Sequence, residues 1–355
     1  MGSPALYKWL LALTAGLGGV QLLGGTSLLE SPSWLAKHRG REPALDVLLA
    51  ARGYSMVDAE AELREIQAAA AASAGIRSPS VWALLTSPAF KAMRWPLLIA
   101  CTLQLTQQLS GINAVFFYST SFFAGAGVDN PTQASVMVAG VNVVATGAAV
   151  YLMERAGRRN LLLSGTSGML ASTLALVGVL AFKDGSVSGV SVDSGVANAL
   201  AIAFVLAFVS FFEVGLGAIP WQIGGEIFPE APRATGMGIA AAVNWAGTFT
   251  VGLVFPTMQS AIKQYAFLPF AAVLATSLVF QIAYIPETRS RTLMQIQAAL
   301  RSSAPACIGG GGHRSSTSSF EDGVLEAVHR DDLVLNGGLG HRTSAVSATD
   351  SEAGV

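Results

Sequence analysis

The sequence predicts an all-α membrane protein, and two features of its composition lead to that prediction. Of the 355 residues, 52% are hydrophobic and 12% are charged, whereas a soluble domain carries about 25% charged residues. The apolar residues also form blocks of about 20 residues or more, which as helices are long enough to cross a hydrocarbon core of about 30 Å. These blocks predict transmembrane helices at 9–29, 96–123, 133–153, 161–182, 197–228, 235–259 and 266–285.

The first block, 9–29, differs from a secretory signal peptide. Its apolar stretch is too long for one, and no clear small-residue cleavage pattern follows it. We therefore expect the block to be a membrane-spanning helix.

The Lys and Arg residues indicate the orientation of the spans. Successive segments between the spans lie on alternate sides of the membrane. All 21 Lys and Arg residues except Lys8, Lys183 and Lys263 lie in segments on the same side. The side rich in Lys and Arg is expected to be cytoplasmic. The N-terminus is then outside and the C-terminus inside, and we expect a multi-pass protein of the plasma membrane.

Two segments of the chain are predicted to lie outside the membrane. The long connection 30–94 contains good helix formers with acidic residues at their starts, so we expect short amphipathic helices in a cytoplasmic linker. The segment 288–355 is predicted to be a cytoplasmic tail. After residue 301 it is rich in Ser, Gly and His and cannot build a packed core, so most of it is expected to be disordered.

The six spans that follow the linker divide into two triplets, 96–182 and 197–285, within a membrane region 95–287. The first span of each triplet is interrupted, by Ser110-Gly111 in one case and by the segment GLGAIPW in the other. Glycine and proline breaks at corresponding positions of two halves are typical of transporter binding sites, since broken helices free polar groups at the membrane midplane. The residues expected to break the helices are Gly111, Gly215, Gly217 and Pro220.

Four polar side chains lie within ten residues of the second span. In a straight helix Gln104, Gln107 and Gln108 share one face with Gly111. Asn113 joins them only if the helix bends or unwinds at Gly111. Amides both donate and accept hydrogen bonds, which suits a neutral ligand covered in hydroxyl groups. The alternative is that the amides hold helices together. Two more amides in later spans belong to Asn142 and Asn244.

Two carboxylates and one tryptophan are also notable within the predicted spans. An ionised carboxylate at bilayer depth costs about 2.5 kcal/mol or more, so Glu213 is expected to face a cavity or a partner. Glu226 lies near the cytoplasmic end, seven residues before Arg233, which favours a structural ion pair. Trp221 has an apolar face and an N–H donor that suit a sugar ring, although simple packing explains it equally well.

The sequence contains no pattern typical of an enzyme. Its four histidines lie in loops or in the tail, and none has a metal-ligand spacing with a cysteine. The segment GGGGH lacks the Lys-Ser/Thr of a phosphate loop. We therefore expect no catalytic residue, metal, cofactor or nucleic-acid partner.

Five motifs, in this order and spacing, resemble those of the facilitative glucose transporter family, the sugar porter branch of the major facilitator superfamily. They are QQLSGINAVFFYS, ERAGRR, EVGLGAIPWQIGGEIFPEAPR, NW and PETRSRT. The resemblance covers residues 1–300. It implies that 1–29 corresponds to helix six, 30–94 to the cytoplasmic helical linker, and 95–287 to the C-terminal six-helix bundle of a major facilitator fold.

The resemblance implies a hexose site and a cytoplasmic charge network. The implied sugar-binding residues are Gln107, Gln108, Asn113, Asn142, Glu213, Trp221 and Asn244. The implied gating charges are Glu30, Glu154, Arg158, Arg159, Glu226 and Arg233.

The chain also departs from the family pattern. Two prolines of the family's GPGPIPW are Leu216 and Ala218 here, and a tyrosine pair is Phe117-Tyr118. The resemblance does not extend to the family's helices one to five, which form the opposite wall of the cavity. Proton-coupled members of the family carry an acidic residue in the first helix, to which the resemblance does not extend. A proton therefore stays open as a further partner.

The sequence leads to one principal hypothesis and two alternatives. The principal one is transport of a hexose by alternating access, by a polypeptide that lacks helices one to five. The first alternative is a non-transporting sugar-binding or regulatory half-protein that associates with a full transporter. The second, a seven-span receptor, shares only the helix count and the orientation. The expected partners are a hexose, the lipid bilayer and an N-terminal half-bundle or a full transporter.

Overall fold

The computed structural model describes residues 7–53, 55–72, 78–183, 193–291 and 293–305, and all regular structure in these ranges is helical. The predicted all-α fold class is therefore confirmed. Two short 3₁₀ segments, Pro88–Met93 and Lys263–Tyr265, join longer helices. The α-helices are α1 (Tyr7–Gly25), α2 (Pro32–His38), α3 (Arg41–Arg52), α4 (Met56–Ala72), α5 (Val81–Thr86), α6 (Arg94–Leu109), α7 (Ile112–Gly125), α8 (Pro131–Ala156), α9 (Arg158–Lys183), α10 (Ser194–Phe212), α11 (Ile219–Ile227), α12 (Glu230–Ile262), α13 (Leu268–Tyr284) and α14 (Leu293–Ser303).

The chain forms two compact units, of which the first comprises residues Met1–Ile76. Its helix α1 is apolar and exposes large side chains such as Trp9 and Leu22. Helices α2, α3 and α4 lie in the segment 30–94, for which short helices were predicted. They enclose a small apolar core, and an ion pair of 2.8 Å between Arg41 and Glu60 joins α3 to α4. The core residues are Leu35, Ala44, Leu48, Ala59 and Leu63.

The second unit, Arg77–Val355, contains a helical bundle with one continuous apolar core. Its helices pack mainly as α9 on α10 and α13, and α12 on α6. The backbones touch where Gly165 of α9 faces Gly215. A Cβ atom on Gly215 would lie 2.7 Å from the Cα atom of Gly165, so this close approach requires a residue without a side chain.

The helix is interrupted at the first predicted break. Helix α6 ends at Leu109 and α7 begins at Ile112. Between them Gly111 has a φ of +91°, and a Cβ atom there would lie 2.5 Å from a ring carbon of Phe270. Both the backbone angle and the missing space favour glycine, so the break is encoded locally.

The helix is also interrupted at the second predicted break. Helix α10 ends at Phe212, a single π-helical turn covers Glu213–Gly217, and α11 begins at Ile219 with Pro220 in its first turn. Proline suits a first turn because its missing N–H has no intrahelical partner there. A π turn widens the helix and is frequent at functional sites. Here Glu213 is its first residue, and Trp221 follows it by one helical turn.

Four helical stretches in the described part of the chain are long and apolar enough to cross a membrane. Two further apolar helices, Leu11–Gly25 and Leu268–Tyr284, are shorter, and the span predicted at 96–123 is divided between α6 and α7. Length and composition therefore support four of the seven predicted spans directly. The four stretches are Pro131–Ala156, Arg158–Lys183, Ser194–Ile227 and Ala231–Tyr265.

The segment predicted as a tail begins with a helix that the sequence analysis did not predict. Helix α14 buries Ile296 and Leu300 in the core of the bundle. Residues 306–355, which make up most of the predicted tail, lie outside the described residues.

Candidate functional site

Five amide side chains from three helices converge beside the first helix break. Asn244 of α12 lies at the centre, and its Nδ2 donates hydrogen bonds of 2.6 Å to the Oε1 atoms of both Gln104 and Gln107. Its Oδ1 accepts a bond of 3.0 Å from Nε2 of Gln108. Gln104, Gln107 and Asn244 are at most 4% exposed, so this amide network joins α6 to α12 within the bundle.

Gln107 connects the amide network to the π turn. Its Nε2 donates to the carbonyl oxygens of Leu216 and Gly217 at 2.6 and 2.7 Å. Its Oε1 accepts from Asn244 and, at 3.3 Å, from Gln108. A glutamine side chain has two donor and two acceptor positions, and all four are occupied. In this arrangement Gln107 holds two helices together and has no free position for a ligand.

Asn113 joins the network from α7. Its Nδ2 donates to Oε1 of Gln108, and a longer contact of 3.4 Å reaches Oγ1 of Thr248. The sequence predicted this convergence only on the condition that the helix breaks at Gly111, and that condition is met. Asn113 is only partly buried, so it forms the accessible edge of the network.

A second polar cluster is centred on Glu213, the first residue of the π turn. Its Oε1 accepts a hydrogen bond from Nδ2 of Asn142, and its Oε2 accepts one of 3.0 Å from Oγ1 of Thr146. Both donors are neutral and lie on α8. The cluster and the amide network therefore hold opposite ends of the same π turn, Glu213–Gly217.

The side chains divide into a buried set and an accessible set. Gln104, Gln107 and Asn244 are buried and bond mainly to one another. Asn113, Asn142 and Glu213 are partly buried, and Trp221, one turn after Gly217, is 37% exposed. The accessible set offers amide donors and acceptors, a carboxylate and an aromatic face. These groups suit a neutral ligand that has hydroxyl groups on an apolar ring.

The predicted charge network is only partly brought together. Arg158 lies 3.4 Å from Glu226, forming an ion pair within the bundle. The ion-pair partner of Glu226 in the structure is thus Arg158, whereas the sequence had suggested Arg233. Arg233, in the first turn of α12, instead donates to the carbonyl oxygen of Phe228 at 3.2 and 3.3 Å. Arg159 donates to the carbonyl oxygen of Ile282 at 2.9 Å.

The two other predicted gating charges lie apart from this pair. Glu154 is exposed in the last turn of α8. Glu30 is exposed in the first unit, where its Oε1 accepts a hydrogen bond of 3.1 Å from the backbone N–H of Ser31.

Sequence reasoning did not select Glu287, a carboxylate that joins several segments. It accepts hydrogen bonds from the backbone N–H groups of Arg158, Arg159 and Arg289 at 3.0, 3.2 and 2.9 Å. It thus caps α9, where a negative charge is favourable. Gly157 leaves room for it, since a Cβ atom there would lie 2.6 Å from Oε2. The only signal was its place in the motif PETRSRT.

Thr146 was also not selected. It follows Asn142 by one helical turn, at the i, i+4 spacing that places two side chains on one face. Its hydroxyl group reaches Glu213 for that reason. The helical spacing from a candidate amide was the signal that could have identified it.

Known proteins resemble this chain in sequence. The family model described as "Sugar (and other) transporter" matches residues 2–300. Facilitated glucose transporter member 4 of solute carrier family 2 from Mus musculus is 41% identical, over 85% of this chain and 57% of that protein. Member 3 from Homo sapiens is 36% identical, over 92% of this chain and 62% of that protein. The chain thus spans about three fifths of the length of these relatives.

Solved structures resemble the chain in fold. The proton:xylose symporter XylE, bound to 6-bromo-6-deoxy-D-glucose, matches with a TM-score of 0.58 at 23% identity, over 78% of this chain and 55% of that one. The inward-open conformation of XylE from E. coli matches with a TM-score of 0.56 at 22% identity, over 84% of this chain and 59% of that one. The chain therefore has part of a major facilitator fold.

Proposed function

This chain belongs to the sugar (and other) transporter family, and on that premise we propose that it binds a hexose and forms one half of a carrier. The observation that carries the proposal is the convergence of amides from α6, α7 and α12 at a broken helix. Two broken helices with polar groups between them are typical of transporter binding sites. Relatives named as facilitated glucose transporters support a hexose as the substrate class.

The chemistry of the accessible side chains supports a neutral, hydroxylated substrate. Each sugar hydroxyl group both donates and accepts, as the amides of Asn113 and Asn142 do. Glu213 adds an acceptor whose hydrogen-bond donors Asn142 and Thr146 are both neutral. Trp221 adds an exposed aromatic face for the C–H groups of a sugar ring.

Transport by alternating access requires a second wall for the cavity. In this proposal an N-terminal half-bundle supplies it, because carriers of this fold work by rocking one bundle against the other. The breaks at Gly111 and at Glu213–Gly217 divide two helices into shorter segments, which allows each segment to tilt separately. The proposal includes no catalytic step and no cofactor.

The experiment is a paired measurement of D-glucose binding and D-glucose flux. The purified chain is placed in lipid nanodiscs for equilibrium binding and in liposomes for uptake, with L-glucose as the stereochemical control. The variant Glu213→Gln is expected to weaken D-glucose binding at least fivefold. The matched variant Asn160→Ala removes an exposed amide that bonds only locally, to the carbonyl oxygen of Ala156, and is expected to leave binding unchanged.

Three outcomes of this experiment have different meanings. Binding without flux agrees with the proposal, in which a second half-bundle supplies the other wall of the cavity. Binding together with flux by the chain alone would contradict the need for that second half-bundle. Equal binding of D-glucose and L-glucose, or none, refutes the proposed site.

A further inference from the structure

A second buried polar chain lies behind the amide network, between α6 and α13. Oγ1 of Thr106 lies 2.8 Å from Oγ of Ser277. Nε2 of Gln281, one turn further along α13, donates to the same Ser277 oxygen at 3.1 Å. Thr106, Ser277 and Gln281 are 4%, 5% and 0% exposed. We call these three residues the rear polar chain.

Thr106 and the amides lie on different sides of one helix. Thr106 is two residues from both Gln104 and Gln108, and each residue of an α-helix turns by about 100°. Thr106 therefore points about 160° away from each of them. The amide face of α6 is bonded to α12 and to the π turn, while its rear face is bonded to α13.

A rotation of α6 about its axis would strain the rear bond and the bonds of the amide network together. Apolar packing alone holds a membrane helix weakly in rotation, because neighbouring helices and lipid tails are equally apolar. A side-chain end lies about 5–6 Å from the helix axis, so a rotation of about 20° would displace it by about 2 Å. Hydrogen bonds tolerate only a few tenths of an ångström around about 2.9 Å. The two bonds of Gln107 to the π turn, at 2.6 and 2.7 Å, would not survive such a rotation.

We propose that Thr106, Ser277 and Gln281 are positioning residues that set the rotation of α6 and thereby the geometry of the sugar site. This inference rests on the proposed function. The rear polar chain acts through the amide network and does not touch the substrate. Loss of the rear bond displaces Gln107 and Gln108, and with them the π turn that carries Glu213.

One detail separates a positioning role from simple stabilisation. Oε1 of Gln281 is buried and has no hydrogen-bond partner among the described residues. A buried acceptor without a partner costs free energy, so replacing Gln281 by Leu removes that cost, while it also removes the hydrogen bond to Ser277. The two changes in stability oppose each other. If the residue served stability alone, the affinity for sugar would be unchanged in this variant. A positioning role predicts weaker sugar binding without a lower melting temperature.

The test compares sugar affinity and thermal stability in matched variants of the whole chain in nanodiscs, with D-glucose as the probe. We expect Thr106→Val and Ser277→Ala each to weaken D-glucose binding about threefold to tenfold, which corresponds to about 0.6–1.4 kcal/mol for a bond between membrane helices. Because both variants remove the same bond, the double variant is expected to bind no more weakly than Ser277→Ala. Thr106→Ser keeps the hydroxyl group and should retain wild-type affinity. Gln281→Leu should weaken binding without lowering the melting temperature.

The control is Thr166→Val. Thr166 is 0% exposed, and its Oγ1 has no partner among the residues that the structure describes. This control removes a buried hydroxyl group without removing a bond between helices, so affinity is expected to change less than twofold. The inference is overturned if Thr106→Val binds D-glucose like the wild type, if Thr106→Ser binds as weakly as Thr106→Val, or if the control weakens binding equally. Absence of D-glucose binding by the wild type refutes the proposed function itself, and the inference falls with it.

Discussion

The substitution Gly111→Ala tests whether the break between α6 and α7 requires glycine. Gly111 has a φ of +91°. A left-handed backbone conformation costs about 1–2 kcal/mol of stability for a residue with a Cβ atom. The new Cβ atom would also lie 2.5 Å from Cδ2 and 2.8 Å from Cγ of Phe270, whereas carbon atoms in contact are normally about 3.5–4.0 Å apart. Moving a buried ring to relieve such a contact costs about 1–3 kcal/mol. The expected loss of stability is therefore about 2–5 kcal/mol.

A companion variant separates the two costs. Phe270→Leu removes the ring that the new Cβ atom would meet, but it does not change the backbone angle at Gly111. In the double variant the loss that is due to Gly111→Ala should fall to the backbone cost, about 1–2 kcal/mol. The difference from the single variant, corrected for Phe270→Leu alone, is the coupling energy of a double-mutant cycle.

The assay is reversible unfolding of the chain in detergent micelles, with Gly140→Ala as the control. Gly140 lies inside α8, and a Cβ atom there would meet nothing within 4 Å. Alanine is a better helix former than glycine by about 0.8–1 kcal/mol, so the control should be neutral or stabilising. If Gly111→Ala is as stable as Gly140→Ala, the break does not depend on glycine, and the explanation of how Asn113 reaches Gln108 is wrong.

Three further predictions concern contacts in the bundle. Glu287→Gln should lower the free energy of unfolding by about 1–2 kcal/mol, because an amide caps the first turn of α9 more weakly than a carboxylate. The control in the same unfolding assay is Glu154→Gln, which changes an exposed glutamate. An equal loss of stability in both variants would contradict the capping role. Gln107→Leu should cost about 1–3 kcal/mol, since two carbonyl oxygens of the π turn lose their donor, and an unchanged melting temperature would show that Gln107 does not hold the turn. The pair Arg158–Glu226 should show a coupling energy below about 1 kcal/mol that decreases with added salt, because both side chains are partly exposed; a larger, salt-independent coupling would refute this.

The helix breaks could be predicted because they are local. Glycine at φ > 0 and proline in a first helical turn depend on the residue itself, so Gly111 and Pro220 could be identified from a few neighbours. The amide face of α6 was likewise visible in the spacing of Gln104, Gln107 and Gln108.

Partners far apart in the chain could not be predicted in the same way. Sequence proximity suggested Arg233 for Glu226, but the fold brings Arg158 to it. Glu287 binds backbone N–H groups, which every residue other than proline carries, so no sequence pattern identifies its partners. Which of the possible partners a carboxylate reaches depends on how the helices pack, and the core as a whole determines that packing.

The structure also changes the choice between the two interpretations of the amides. Sequence reasoning treated helix association and ligand binding as alternatives for the whole set. The structure divides the set: Gln107 has all its hydrogen-bonding positions occupied by the π turn and by two amides, while Asn113 remains partly accessible. A buried amide that bonds to backbone carbonyl groups fixes where the turn lies, and the turn fixes where Glu213 and Trp221 lie. Under the proposed function, structural and binding roles therefore belong to successive layers of one site. Substitutions in the buried set should alter affinity by displacing the π turn, and substitutions in the accessible set by changing direct contacts with the ligand.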